Sequence, residues 1–233
     1  MRRTQWIAIA LSAAAFVLGL VSNLAPTPSW IIGGVCILLF ALPAFTGVIL
    51  EKKVRGILLI FGIGIFAYIV ESIALRYGFP YGYFFYANQM GPSPFGLAPL
   101  LTPFAFAPLA LGVFALATRL KLKDLQWIFG SGLMLVAIDL LIDPAAIAQG
   151  LWNYRNGGFL HGMPLSNILG WLFSGSLLSF ICRERLRSSL PLYGLLFILA
   201  FWTAVAGAHL LIIPGIFGVV LFGFTAKLLF TRI

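Results

Sequence analysis

Charge is scarce in this sequence. Of its 233 residues only 9% are Asp, Glu, Lys or Arg, where soluble domains carry about 25%. Cysteine is reduced to Cys36 and Cys182, each alone in an apolar run. They offer neither a metal-ligand spacing nor a disulfide framework, and so say nothing about redox compartment. Histidine is limited to His161 and His209, which excludes the many-histidine di-iron chemistry of membrane desaturases and hydroxylases. A Gly-rich dinucleotide fingerprint, a P-loop, a nucleophile elbow and a Cys–His pair in recognisable context are all missing, so no flavin, nicotinamide or ATP site is evident. What the chain has instead is apolar surface: 61% of it is hydrophobic. A water-soluble globule of this length could not hide that much, and a disordered chain or secreted disulfide scaffold would look different. The composition points to a polytopic membrane protein.

Crossing the bilayer core takes roughly 20 apolar residues. Eight runs qualify: residues 5–21, 30–50, 56–75, 99–118, 125–143, 164–182, 190–208 and 209–230. The last two form one stretch broken only by Gly207, His209 and Pro214, so seven spans with a re-entrant piece is the alternative. The basic residues orient the bundle. With eight spans, Arg2, Arg3, Lys52, Lys53, Arg55, Arg119, Lys121, Lys123, Arg183, Arg185, Arg187, Lys227 and Arg232 share one side, and Arg76 and Arg155 the other. That bias predicts both termini inside, in a multi-pass protein of the cell membrane. The net charge of +9 then serves topology and anionic headgroups, not nucleic acid. The basic and apolar start resembles a signal peptide without a convincing cleavage site and reads as an uncleaved first helix. With no repeat or linker, residues 1–233 read as a single transmembrane domain.

Inner loops are short and basic, while two outer segments, 76–98 and 144–163, are long, aromatic and rich in Gly, Pro and Asn. Loops of such length are often functional. Among the acids, Glu51, Asp124 and Glu184 lie between basic residues on the inner side and read as surface charge balance. Glu71, Asp139 and Asp143 differ, because each lies within an apolar run toward its outer end. A carboxylate at depth costs about 2.5–3.5 kcal/mol on insertion scales, so it is a functional candidate by default. Asp139 and Asp143 are spaced i, i+4 and share one helix face. Like charges so close favour keeping one proton on the pair, which sets an acid beside a base. The competing reading pairs Asp143 with Arg155 and Glu71 with Arg76 near the interface. Aromatic residues cluster around these acids, in YGFPYGYFFY (77–86) and GLWNYRNGGF (150–159). They read either as an interfacial belt or as an apolar pocket wall able to stabilise a cation. Such a set suits redox-neutral acid–base work on a lipid-soluble hydrocarbon.

Two blocks carry a family resemblance. One is Glu71 followed by YGFPYGYFFY and GPSPFGLAPLLTP; the other is DLLIDPAAIAQGLWNYRNGGFLHGMPLSNILGW, residues 139–171. Together they resemble the CruF-type carotenoid biosynthesis proteins, membrane hydratases of carotenoid ψ-ends. Ile138, where an aromatic is expected, and Leu160–His161 depart from the pattern. The resemblance implies a functional core at 71–171 that adds water across the terminal isopropylidene double bond of a long carotenoid. In that chemistry a carboxyl group protonates the alkene, a tertiary carbocation forms, and water adds to it. Asp139 would donate the proton, and Asp143 or Glu71 would orient water, with the labels of the two Asp residues interchangeable. Trp152 and Tyr83 would face the cation. The candidate substrate-binding residues are Tyr81, Tyr83, Tyr86, Trp152, Tyr154, Asn167 and Trp171, with Arg76 and Arg155 in support. No metal and no cofactor other than water as co-substrate is implied. The expected partners are the carotenoid, the bilayer and other membrane enzymes of carotenoid synthesis. Three rivals stand beside this reading. An end-group cyclase or isomerase would use the same cation, a UbiA-like prenyltransferase is prompted by the DxxxD spacing, and a lipid or solute transporter also keeps intramembrane acids.

Overall fold

The structure, a computed structural model, describes residues 3–23 and 29–230. Arg2 and Arg232, counted above on the inner side, lie outside the described residues. Eight helices are present among the described residues, as the hydropathy pattern predicts: α1 (Arg3–Asn23), α2 (Trp30–Lys52), α3 (Val54–Tyr77), α4 (Thr102–Arg119), α5 (Asp124–Ala148), α6 (Leu165–Cys182), α7 (Leu190–Ala208) and α8 (Ile212–Leu229). All are long and apolar enough to cross a membrane. The protein is a multi-pass helical bundle, and the seven-span alternative falls. The 190–230 stretch breaks at His209–Leu211, where Leu210 takes a positive φ of 56° and α8 starts afresh.

The bundle is built around α4, which packs against α2, α3, α5, α7 and α8. From Phe106 to Arg119 every residue of α4 is buried. The helices also pack in sequential pairs, with α1 on α2, α5 on α6 and α7 on α8. Large apolar side chains such as Phe61 and Ile65 on α3 and Val219 on α8 stay exposed, as a lipid-facing surface requires. Pro43, Pro108 and Pro144 lie inside helices, a placement bundles tolerate where neighbouring helices satisfy the backbone.

Two helix ends and one added element are the main departures from the sequence reading. The helix expected to end at Asp143 continues through Pro144 to Ala148, so both Asp residues sit inside a helix and the second outer segment starts at 149. The fourth helix starts at Thr102, with Pro103 in its first turn, where its missing N–H costs nothing. The outer segments, read as part of an all-α chain, also hold a two-stranded antiparallel sheet: β1 (Phe84–Tyr86) pairs with β2 (Trp152–Tyr154), Phe84 opposite Tyr154 and Tyr86 opposite Trp152. On the inner side, Glu51 and Glu184 do more than balance charge. Glu51 accepts from the Arg187 and Ser188 backbone N–H groups at 3.0 and 2.8 Å, and the nearly buried Glu184 pairs with Lys52 at 3.4 Å and with Arg55. These contacts tie the α2–α3 corner to the α6–α7 loop.

Candidate active site

The three acids come from the outer halves of two helices, α3 and α5. Asp139 and Asp143 project from successive turns of α5 and are 4% and 3% exposed. Asn167, in the first turn of α6, donates to Asp139 Oδ2 at 2.6 Å. Trp152 Nε1 donates to Asp143 Oδ1 at 2.6 Å, and the Tyr154 hydroxyl reaches the same oxygen at 3.3 Å. Asp143 Oδ2 is buried and has no protein partner. On α3, Glu71 Oε2 accepts from the Tyr86 hydroxyl at 2.5 Å. The strand pairing makes this possible. Side chains alternate along a strand, so Phe84 and Tyr86 turn inward with Trp152 and Tyr154, while Phe85 is left exposed.

Aromatic rings close the site. Tyr86 meets Trp152 edge-on at 5.8 Å, and Phe84 packs against Tyr86 and Tyr154 at 5.3 and 5.7 Å. Trp171 of α6 stacks on Phe106 of α4 at 5.4 Å and leans on Tyr81 at 5.9 Å. Tyr81 itself is held by a hydrogen bond from its hydroxyl to Ser174 Oγ at 2.9 Å. Its seat depends on Gly170, since a Cβ there would stand 2.5 Å from the Tyr81 ring and 2.7 Å from the Pro80 carbonyl oxygen. Burial, with carboxylates nearby, pushes the Tyr81, Tyr86 and Tyr154 phenols above their usual range, so they remain hydroxyl donors.

Glu71, Asp139 and Asp143 all line one cavity of about 220 Å³, together with Tyr81, Tyr86, Trp152, Tyr154, Asn167 and Trp171. By the same measure one water needs only about 10–15 Å³. Tyr83 is a correction: it does not line the cavity but is half-exposed, with the Arg155 guanidinium 5.1 Å from its ring centre. The two arginines are also displaced from their expected roles. Arg155 sits on Tyr83 and Arg76 lies 5.9 Å from the Tyr77 ring, so the pairings of Asp143 with Arg155 and Glu71 with Arg76 are not made. Glu51 and Glu184 form their ion pairs with Lys52 and Arg55 on the inner side. His161 is exposed, and His209 bonds Gln149 at 2.9 Å. Among the described residues no three His, Cys, Asp or Glu side chains gather as metal ligands.

Sequence reasoning missed Thr102 and Phe106, which line the cavity from α4. Both lie at the start of an ordinary apolar helix, where nothing in the pattern singles them out. Phe84, grouped with the belt aromatics, could have been found by its alternation with Phe85 and Tyr86.

These features define a multi-pass membrane protein with carboxyl groups set in an apolar, aromatic-walled cavity. Residues 29–225 match the family model described as carotenoid biosynthesis protein, and the chain belongs to that family. It is 32% identical over 139 residues to bisanhydrobacterioruberin hydratase of Haloarcula japonica, an alignment covering 58% of this chain and 47% of the relative. The chain thus spans about half the length of the curated relative it matches. No solved structure matches.

Proposed function

We propose that the protein is a carotenoid hydratase that adds water to the terminal double bond of a ψ-end by acid catalysis. The family and the hydratase relative support the substrate class and the reaction. The observation that carries the reading is Asp143. One of its oxygens is engaged by two hydrogen bonds, from Trp152 and Tyr154, which fix the carboxyl group in place. The other is buried in the cavity wall without a partner. A buried carboxylate oxygen left unpaired is costly, and a water molecule held there removes that cost.

The roles follow from this asymmetry. Asp139, one helical turn deeper and held by the Asn167 amide, delivers its proton to the less substituted alkene carbon. The π electrons form the new C–H bond and leave a tertiary cation on the other carbon. Trp152 and Trp171, which line the cavity, supply the π systems that stabilise that charge. The water on Asp143 Oδ2 attacks the cation through oxygen and gives its extra proton to Asp143, and the pair is reset by moving that proton back to Asp139. The sum is one alkene plus one water to one tertiary alcohol. It is redox-neutral, so water is the sole co-reactant the scheme needs. Glu71, already occupied by Tyr86, orders the β1 strap.

The test is expression in a lycopene-producing bacterium followed by pigment mass analysis. Wild-type protein is expected to add one water per reacted end, whereas Asp139→Asn is expected to fold and to leave the pigment mass unchanged. Products isomeric with the substrate would instead mark a cyclase. Normal hydration by Asp139→Asn would refute the assignment.

A further inference from the structure

The cavity does not end at the carboxyl groups. It runs away from them between α2, α4 and α7, past Leu109, Ile198 and Phe201, and reaches the outer end of α2 at Trp30 and Gly33 beneath the turn at Gln89 and Met90. Along α2 the lining extends from Trp30 to Phe40, a depth of about 15 Å at 1.5 Å per residue. This arm is mostly apolar, with Ser22, Ser29 and Gln89 near its outer end, and that end is exposed, with Trp30 45% accessible. It is therefore a slot with a polar reactive head at one end and an opening toward the outer leaflet at the other.

Gly33 marks the opening. The neighbouring glycines are explained by close packing: a Cβ at Gly34 would stand 3.0 Å from Leu101, and one at Gly19 would stand 2.8 Å from the Phe201 ring. A Cβ at Gly33 would meet no atom within 4 Å, although the residue lines the cavity. Helical geometry does not call for glycine there either, since glycine is a poor helix former. What its missing side chain preserves is open space in the slot.

We propose that the arm holds the linear polyene of the substrate lengthwise and that Gly33 is the aperture through which the remainder of the chain lies in the outer leaflet. The inference rests on the proposed function for the identity of the ligand, though not for the shape of the slot. The geometry makes residue 33 a specificity determinant: its size sets whether a long rigid chain can reach the acids.

Purified protein in detergent would be loaded with lycopene and the bound pigment read by visible absorbance after gel filtration. Gly33→Trp is expected to bind at least tenfold less lycopene than wild type, Gly33→Leu to fall between, and Gly33→Ala to match wild type within twofold. Gly62→Trp is the control, because Gly62 faces open space on α3 outside the cavity; it is expected to bind normally. Circular dichroism and elution volume confirm that each variant is folded. Wild-type binding by Gly33→Trp, an equal loss in Gly62→Trp, or no lycopene bound by the wild type would each overturn the aperture. Because binding is read without turnover, unchanged pigment mass with the graded loss at residue 33 would defeat the hydratase reading and leave the slot standing.

Discussion

The Trp152 hydrogen bond to Asp143 is the most exposed link in the proposed chemistry, and Trp152→Phe isolates it. The substitution keeps an aromatic ring against Tyr86 and removes the Nε1–H that lies 2.6 Å from Asp143 Oδ1. The remaining donor to that oxygen, Tyr154, is longer at 3.3 Å. A hydrogen bond to a charged group contributes about 1.5–3 kcal/mol. If that energy holds Asp143 aimed at water, its loss is expected to slow hydration by about 10- to 150-fold at about 1.36 kcal/mol per tenfold. The smaller ring also loses packing, so a stability cycle separates the two effects. Asp143→Leu strands the Trp152 N–H and the Tyr154 hydroxyl, Trp152→Phe leaves Asp143 with only the longer Tyr154 bond, and the double variant loses both partners of the Trp152–Asp143 contact together. The two single losses are therefore expected to exceed the double loss by at least about 1.5 kcal/mol in detergent unfolding measurements. Additive effects, or unchanged hydration by Trp152→Phe, would show that this contact is not what readies Asp143.

Three further outcomes follow from the same geometry. Gly170→Val drives a side chain into the Tyr81 ring and the Pro80 carbonyl; overpacking of this kind costs about 1–3 kcal/mol and should show as a lowered melting temperature with weakened lycopene binding. Tyr81, Tyr86 and Tyr154 keep their protons above the usual phenol range, whereas the unfolded chain releases them near about pH 10. Stability is therefore expected to be full below that pH and to fall as pH rises beyond it, with a shallower fall in Tyr81→Phe, read as melting temperature against pH. Glu51→Gln weakens the clamp on the Arg187 and Ser188 backbone N–H groups; at this exposed end solvent competes, so the expected cost is on the order of 1 kcal/mol, with pigment hydration unchanged in the expression assay.

Much of the molecule was readable as one-dimensional pattern. Span number depends on how many apolar residues lie in a row, and that quantity needs no partner in space. The depth of Glu71, Asp139 and Asp143 is legible for the same reason, since position within an apolar run is position across the bilayer. Tertiary structure alone decided what those acids touch. Arg155 and Arg76 were near enough in sequence to be read as counter-ions, yet Asp143 is bonded by Trp152 and Tyr154, and Glu71 by Tyr86. The strand pairing that brings these groups in joins two segments nearly seventy residues apart, and three-residue strands leave almost no local signal. Tyr83 fell outside the cavity and Phe106 inside it for a related reason: a membrane chain is apolar on its lipid face as well as its core face, so composition cannot say which way a ring points. Only packing around α4 resolves that, and with it the slot that reaches Gly33.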